Sequence, residues 1–190
     1  PPKEFRLFPA AATFACPQPP VSEGPVEIVP GVHWIGAFDP NLRSFDTLMK
    51  TANGTSYNAY VVRGSAGVTV IDTVDETCSD AFFARLEAVA RYDEISVLVL
   101  NHLESDHSGA LAELLRRAPQ AHVHVSPRGL QILRTLLKDA FGLYRISPVT
   151  TGHSVSLGDR SLHFLTTPNV HWPDTQCTWL DQDRIIFTCD

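Results

Sequence analysis

Paired cysteines are missing from this sequence: Cys16, Cys78, Cys177 and Cys189 are scattered, with no CxxC among them. That excludes a disulfide framework and a zinc ribbon, and it points to a reducing, cytoplasmic setting. Long apolar runs are missing too, since nothing approaches the roughly 20 residues that a membrane span requires. Basic charge is scarce, with 15 Lys and Arg against 21 Asp and Glu and a net charge of −6. Phosphate backbones need basic surface, so neither a membrane nor a nucleic acid is expected as a partner. No Gly-x-Ser-x-Gly elbow or Cys–His pattern offers a covalent nucleophile. No methionine opens the chain, which suggests a trimmed N-terminus, and proline breaks the one short apolar patch that a secretory leader would need.

What is present describes one ordinary globular domain. The chain has 190 residues, 44% hydrophobic and 19% charged, enough to bury a sizeable core. Residues 1–25 hold much of the proline and no periodicity, and read as an extended arm. From Val26 onward, Val- and Ile-rich runs suggest strands, and "YNAYVVRGSAGVTVIDT" reads as a hairpin turning at Gly64–Gly67. The polar stretch "DPNLRSFDTLMKTANGTS" reads as a long loop of the kind that borders sites.

Helical periodicity follows in "SDAFFARLEAVARY", "SGALAELLRRA" and "PRGLQILRTLLKDAF", with Pro127 in a first turn. Between them lie the strands "ISVLVL" and "AHVHVS". The first is too continuous to alternate, as expected of a strand covered on both faces. "SVSLGDRSLHFLTT", "CTWL" and "RIIFTC" return to strands. Hairpins, then strand–helix alternation, then hairpins again predict a layered α/β protein with a mixed sheet.

Directly after "ISVLVL" comes "NHLESDHSGAL", with His102, Glu104, Asp106 and His107 in six positions. Charged groups on the lip of a buried strand are costly unless paired or coordinated. A loop lets alternate positions converge, while an adjacent pair can diverge toward two centres. Imidazole and carboxylate together suit a mixed N/O site, plausibly of two metals. A solvated turn is the plainer reading, with Asp106 or Ser108 capping the next helix. The small Ser108–Gly109 pair would let that helix start close to the site. His171, in the proline-flanked "TTPNVHWPDT", and Asp190, ending "DRIIFTCD", each follow another predicted strand. Alone, each reads as a loop or turn residue; together they repeat one arrangement three times.

HxExDH, a His in a TPxxHWPD setting and an Asp nineteen positions later resemble the flavodiiron proteins of the metallo-β-lactamase superfamily. The likeness runs from Val26 to Asp190 and includes "GVHWIGAFD", "GTSYNAY" and "IDTV". It implies an α/β fold, the αββα sandwich of metallo-β-lactamases. Over residues 26–190 that sandwich looks truncated on its C-terminal side. A further histidine about 60 residues on, the closing half-sandwich and a flavodoxin domain are not found, which makes a fragment the expectation.

By the same resemblance, His102, Glu104 and His171 bind one iron and Asp106 and His107 the other. Asp190 bridges them, and His107 is the least fixed of the set. Most hydrolases of the superfamily carry His where Glu104 stands. A carboxylate there makes the site harder, favours iron, and tilts the reading from hydrolysis to redox chemistry.

The resemblance therefore implies a diiron oxidoreductase that reduces O2 to water and/or NO to N2O. Electrons would arrive through FMN from a rubredoxin-like or flavin reductase donor, in a head-to-tail homodimer. A zinc-dependent, thioesterase-like hydrolase and a degenerate, non-catalytic module are the alternatives. Asp72 reads equally as an acceptor behind a metal-bound histidine or as a polar strand end. Trp172 reads as pocket wall or core, Cys189 as a small buried filler. His122 and His124 share a strand face, where packing is the plainer account than metal binding.

Overall fold

An unbroken apolar strand requires cover on both faces, because successive side chains point to opposite sides. The computed structural model describes residues 24–45 and 49–189. The arm expected over 1–25, Gly24 and Pro25 apart, and Asp190 lie outside the described residues.

The chain opens on β1 (Val26–Val29), β2 (Val32–Trp34) and β3 (Ala37–Asp39). Next come β4 (Ser44–Phe45) and β5 (Met49–Lys50), which pair as a two-stranded ribbon, and β6 (Thr55–Tyr57), which pairs with β3. The stretch expected to be one loop is thus folded on itself. Its strands are two or three residues long and too polar to carry an apolar alternation. The predicted hairpin is β7 (Tyr60–Gly64) and β8 (Gly67–Ile71), with Gly64 opposite Gly67.

Strands and helices then alternate: α1 (Ser79–Glu87), β9 (Ile95–Leu100), a single turn α2 (Ser105–Ser108), α3 (Leu111–Arg117), β10 (His122–Val125), α4 (Pro127–Leu137) and β11 (Ile146–Pro148). Pro127 does open α4, and Ser126 caps it by accepting from the Gly129 N–H. Last come β12 (Ser154–Ser156), β13 (Ser161–Thr166), β14 (Gln176–Leu180) and β15 (Ile185–Phe187).

The larger sheet runs β1-β2-β7-β8-β9-β10-β11 and is mixed: antiparallel from β1 to β8, parallel from β8 to β11. The smaller is an antiparallel meander, β12-β13-β14-β15. Two cores result. Phe82, Leu86, Leu114 and Leu133 of the helices pack on one face of the large sheet. Leu162, Phe164, Leu180 and Phe187 of the small sheet pack on the other.

β9 divides its apolar residues between them, Ile95, Leu98 and Leu100 to the helices and Val97 and Val99 to the small sheet. Burying each such side chain is worth about 1.5–3 kcal/mol, so this strand belongs to both cores at once. The layers are helix, sheet and sheet, three of the four in an αββα sandwich. On the outer face of the small sheet Leu165 and Ile186 stay exposed.

Candidate metal centre

The chain leaves β9 at the seam of the two cores, and the "NHLESDH" segment lies there. The segment after β8 clasps it: Thr73 N–H and hydroxyl both donate to the His107 carbonyl, at 2.8 and 2.9 Å. Gly109 permits this approach, since a Cβ at that position would stand 2.3 Å from the Glu76 nitrogen. Asp106 and His107 sit inside the one-turn α2, with Glu104 at its N-cap position. Neither Asp106 nor Ser108 caps α3: the residue before α3 is Ala110, and the Ser108 hydroxyl turns back to the carbonyls of Leu103 and Glu104.

Three of the expected ligands converge. Glu104 Oε2 lies 3.2 Å from His102 Nε2 and 3.0 Å from His171 Nε2. Among the described residues these three form the one group of candidate metal-binding side chains whose ligand atoms all fall within 4.8 Å of one another. His102 is fully buried, Glu104 nearly so, and the His171 side chain is 35% exposed, so the group opens to solvent on its His171 side. Asp106 and His107 stand alongside. The His107 ring is 5.4 Å from that of His102, and His107 Nε2 is 3.6 Å from Asp106 Oδ2. The adjacent pair thus stays together beside the first group rather than parting toward two centres.

The His171 loop is tightly built. Asn169 and His171 have φ of +63° and +80°, in the left-handed region that asparagine and histidine enter more readily than most residues. The Thr175 hydroxyl sits among the carbonyls of Thr167, Val170 and Trp172 at 2.5–3.1 Å. Trp172, 39% exposed, lies 5.3 Å from the His102 ring and walls the site. Beyond His171 an open cleft of about 460 Å³ runs past Asp106 to Phe45, Met49 and Lys50 of the β4–β5 ribbon.

The residue that sequence reasoning missed is Asp174. Its Oδ2 accepts from the Leu103 N–H at 2.9 Å and meets His102 Nδ1 at 3.1 Å, with no side-chain exposure. Its carbonyl accepts from Ser126 Oγ at 2.7 Å, which ties the loop to the start of α4. The signal was in "HWPDT", where a lone Asp after proline reads as a turn residue. Asp72, read equally as an acceptor behind a histidine or as a polar strand end, takes the Asn101 N–H at 2.6 Å and also stands 3.7 Å from His107 Nδ1, a contact longer than a hydrogen bond.

These pairings suit a cation. Asp174 fixes the proton of His102 on Nδ1, so the neutral ring aims its Nε2 lone pair at an anionic carboxylate. A positive charge between them turns that repulsion into coordination. Burial alone would lower the His102 pKa, but Asp174 and then Glu104 overcome it and raise the pKa. Burial likewise would raise Asp174, yet its bonds to His102 and Leu103 hold it below the usual range. In the metal-free chain a proton can occupy Nε2, and a metal must displace it. Two histidines and a carboxylate are a donor set that iron accepts.

His122 and His124 do not join the site. His122 Nε2 meets Ser147 Oγ at 2.8 Å. His124, against Phe164, is held neutral with its pKa lowered to about 4, first by burial and then by His122 and Arg145. Burial pushes the Cys189 thiol up to about 12, which leaves it protonated. No helix among the described residues is long and apolar enough to cross a membrane.

The model of the ODP family beta lactamase domain matches residues 55–190. The type A flavoprotein fprA of Rhodobacter capsulatus is 66% identical over 98% of this chain and 42% of its own length. Among solved structures, the flavodiiron protein of Giardia intestinalis superposes with a TM-score of 0.80 at 29% identity. It covers 86% of this chain and 39% of that one. Rubredoxin oxygen:oxidoreductase from Desulfovibrio gigas gives 0.80 at 30%, over 86% and 40%. The chain thus spans about two fifths of the length of the relatives it matches.

Proposed function

The chain belongs to the ODP family of beta-lactamase domains, in its flavodiiron branch, and on that premise we propose that its histidine–carboxylate cluster holds the diiron centre of an oxidoreductase. His102, Glu104 and His171 would hold one iron and Asp106 and His107 the other, with Asp190 serving both. Irons held there would supply redox chemistry, passing electrons from a reduced donor, with protons from solvent, to O2 or NO to give water, or N2O and water. The chain's own groups do the rest. Asp174 orients the His102 ring and keeps its proton on Nδ1. Glu104 puts negative charge where a hydrolase would have a neutral ring, which favours the oxidised state of a metal bound there. Trp172 screens one side, and the cleft between His171 and the β4–β5 ribbon admits a small substrate.

Bound FMN, to which no residue of this chain is assigned, would supply the electrons, in a cytoplasmic head-to-tail homodimer. The donor is a rubredoxin-like protein or a flavin reductase. The name of the Desulfovibrio gigas relative supports rubredoxin and oxygen. The observation that carries the proposal is Glu104 Oε2 lying within 3.2 Å of both imidazoles. Elemental analysis of protein purified without added metal or chelator tests it. Near two irons per chain is expected, zinc would indicate the hydrolase, and little metal of any kind would indicate a degenerate domain.

A further inference from the structure

Asn101, the residue between β9 and His102, has every polar group engaged, with the end of β8, with β14 and with the end of β15. It is fully buried. Its N–H donates to Asp72 Oδ1 at 2.6 Å, and its carbonyl accepts from the Gln176 N–H at 2.9 Å. Its side-chain Nδ2 donates to the Phe187 carbonyl at 3.2 Å, and Oδ1 accepts from Thr178 Oγ1 at 2.7 Å. The Gln176 side chain adds a bond to the Leu100 carbonyl at 3.0 Å.

Within the core between them the two sheets meet through apolar side chains such as Val99, Leu162 and Phe164. Such contacts are strong but non-directional, and they tolerate sliding. The carboxamide of Asn101 is directional, and a satisfied buried polar group of this kind specifies one arrangement. The segments it joins all lead to candidate ligands. His102 follows it, Asp72 stands 3.7 Å from His107 Nδ1, Gln176 leads out of the His171 loop, and Phe187 lies three positions before Asp190.

We propose that Asn101 is a positioning residue: its carboxamide sets where the end of β15 lies against the end of β9, and thereby whether a second metal ion is held beside the first. This rests on the two-metal reading above. The first ion does not depend on it, because Asp174 anchors His102 separately and His171 sits in its own rigid loop.

The test is anaerobic titration of the metal-free protein with ferrous iron against a chelator, beside its thermal unfolding. Asn101→Leu keeps both backbone bonds and removes only the carboxamide. The first ion should bind within about threefold of wild type and the second about 10–100-fold more weakly, the loss usual when a group behind the ligands is removed. Leu157→Ala, a truncation in the same inter-sheet core near the β7–β8 turn, lowers the melting temperature and retains both ions. Should Asn101→Leu not fold, Asn101→Asp keeps the Thr178 bond, replaces the donor to Phe187 by an oxygen that repels its carbonyl, and carries the same expectation. Unchanged second-ion affinity in the Asn101 variants, or an equal loss in Leu157→Ala, overturns the proposal. A wild-type chain that binds no iron overturns the metal reading itself.

Discussion

Replacing Asp174 by alanine removes a single carboxylate oxygen with two jobs. Oδ2 satisfies the Leu103 N–H and His102 Nδ1, both inside the protein. Each buried donor left without a partner costs about 1–3 kcal/mol. The pair therefore predicts a loss of about 2–6 kcal/mol in the metal-free protein, a large share of the stability of a domain this size. Asp174→Asn keeps the shape and one acceptor but forfeits the charge. Charge-assisted bonds are roughly twice as strong as neutral ones, so its loss should be smaller, about 1–2 kcal/mol. Urea unfolding of the metal-free variants measures both, and a metal titration should show the alanine variant weakened about 10–100-fold at the first ion. A stable Asp174→Ala protein with wild-type metal affinity would refute the claim that Asp174 holds His102 in place.

Glu104→His should turn the first-ion set into the one that zinc hydrolases carry, and the zinc-to-iron ratio by elemental analysis should rise about tenfold or more; an unchanged ratio counts against the role given to Glu104. His124 is buried neutral, with its pKa moved from 6.5 to about 4. Its folded value lies below its unfolded one, so stability is complete above pH 6.5 and falls as pH drops from there to 4. The loss reaches about 3 kcal/mol, and His124→Gln should flatten that part of the pH–stability curve. Ser126→Ala removes both the cap of α4 and the bond to the Asp174 carbonyl, and should cost about 1–3 kcal/mol by denaturant titration. Leu98→Ala, at a fully buried position of the helix-side core, should cost about 2–5 kcal/mol.

Much of this fold was legible because its central strand is so apolar. "ISVLVL" announces cover on both faces, and the two cores on either side of β9 are that cover. The Gly64–Gly67 turn, the helix opening at Pro127 and the meander after Ser154 follow from similarly local chemistry. The β4–β5 ribbon did not show, because a two-residue strand leaves no periodicity to read. His102, Glu104 and His171 were visible as ligand types at strand ends. Asp174 was not, because a carboxylate that orients a histidine 72 positions away looks like any turn aspartate. Asp72 was visible as a polar strand end with two readings left open, and only the fold shows that a backbone N–H reaches it, with His107 farther off.

The left-handed backbone of His171 also limits what chance mutation can put there. A position at φ +80° excludes β-branched side chains on steric grounds alone and penalises most others, while glycine and asparagine fit easily. Of the residues the backbone accepts readily, few can offer a donor atom to a metal. Drift at this position therefore has two filters to pass, one in the peptide and one in the coordination sphere. Asparagine, which meets the first and retains a weak ligand, is the replacement by which such a site could lose a strong donor and still keep its loop.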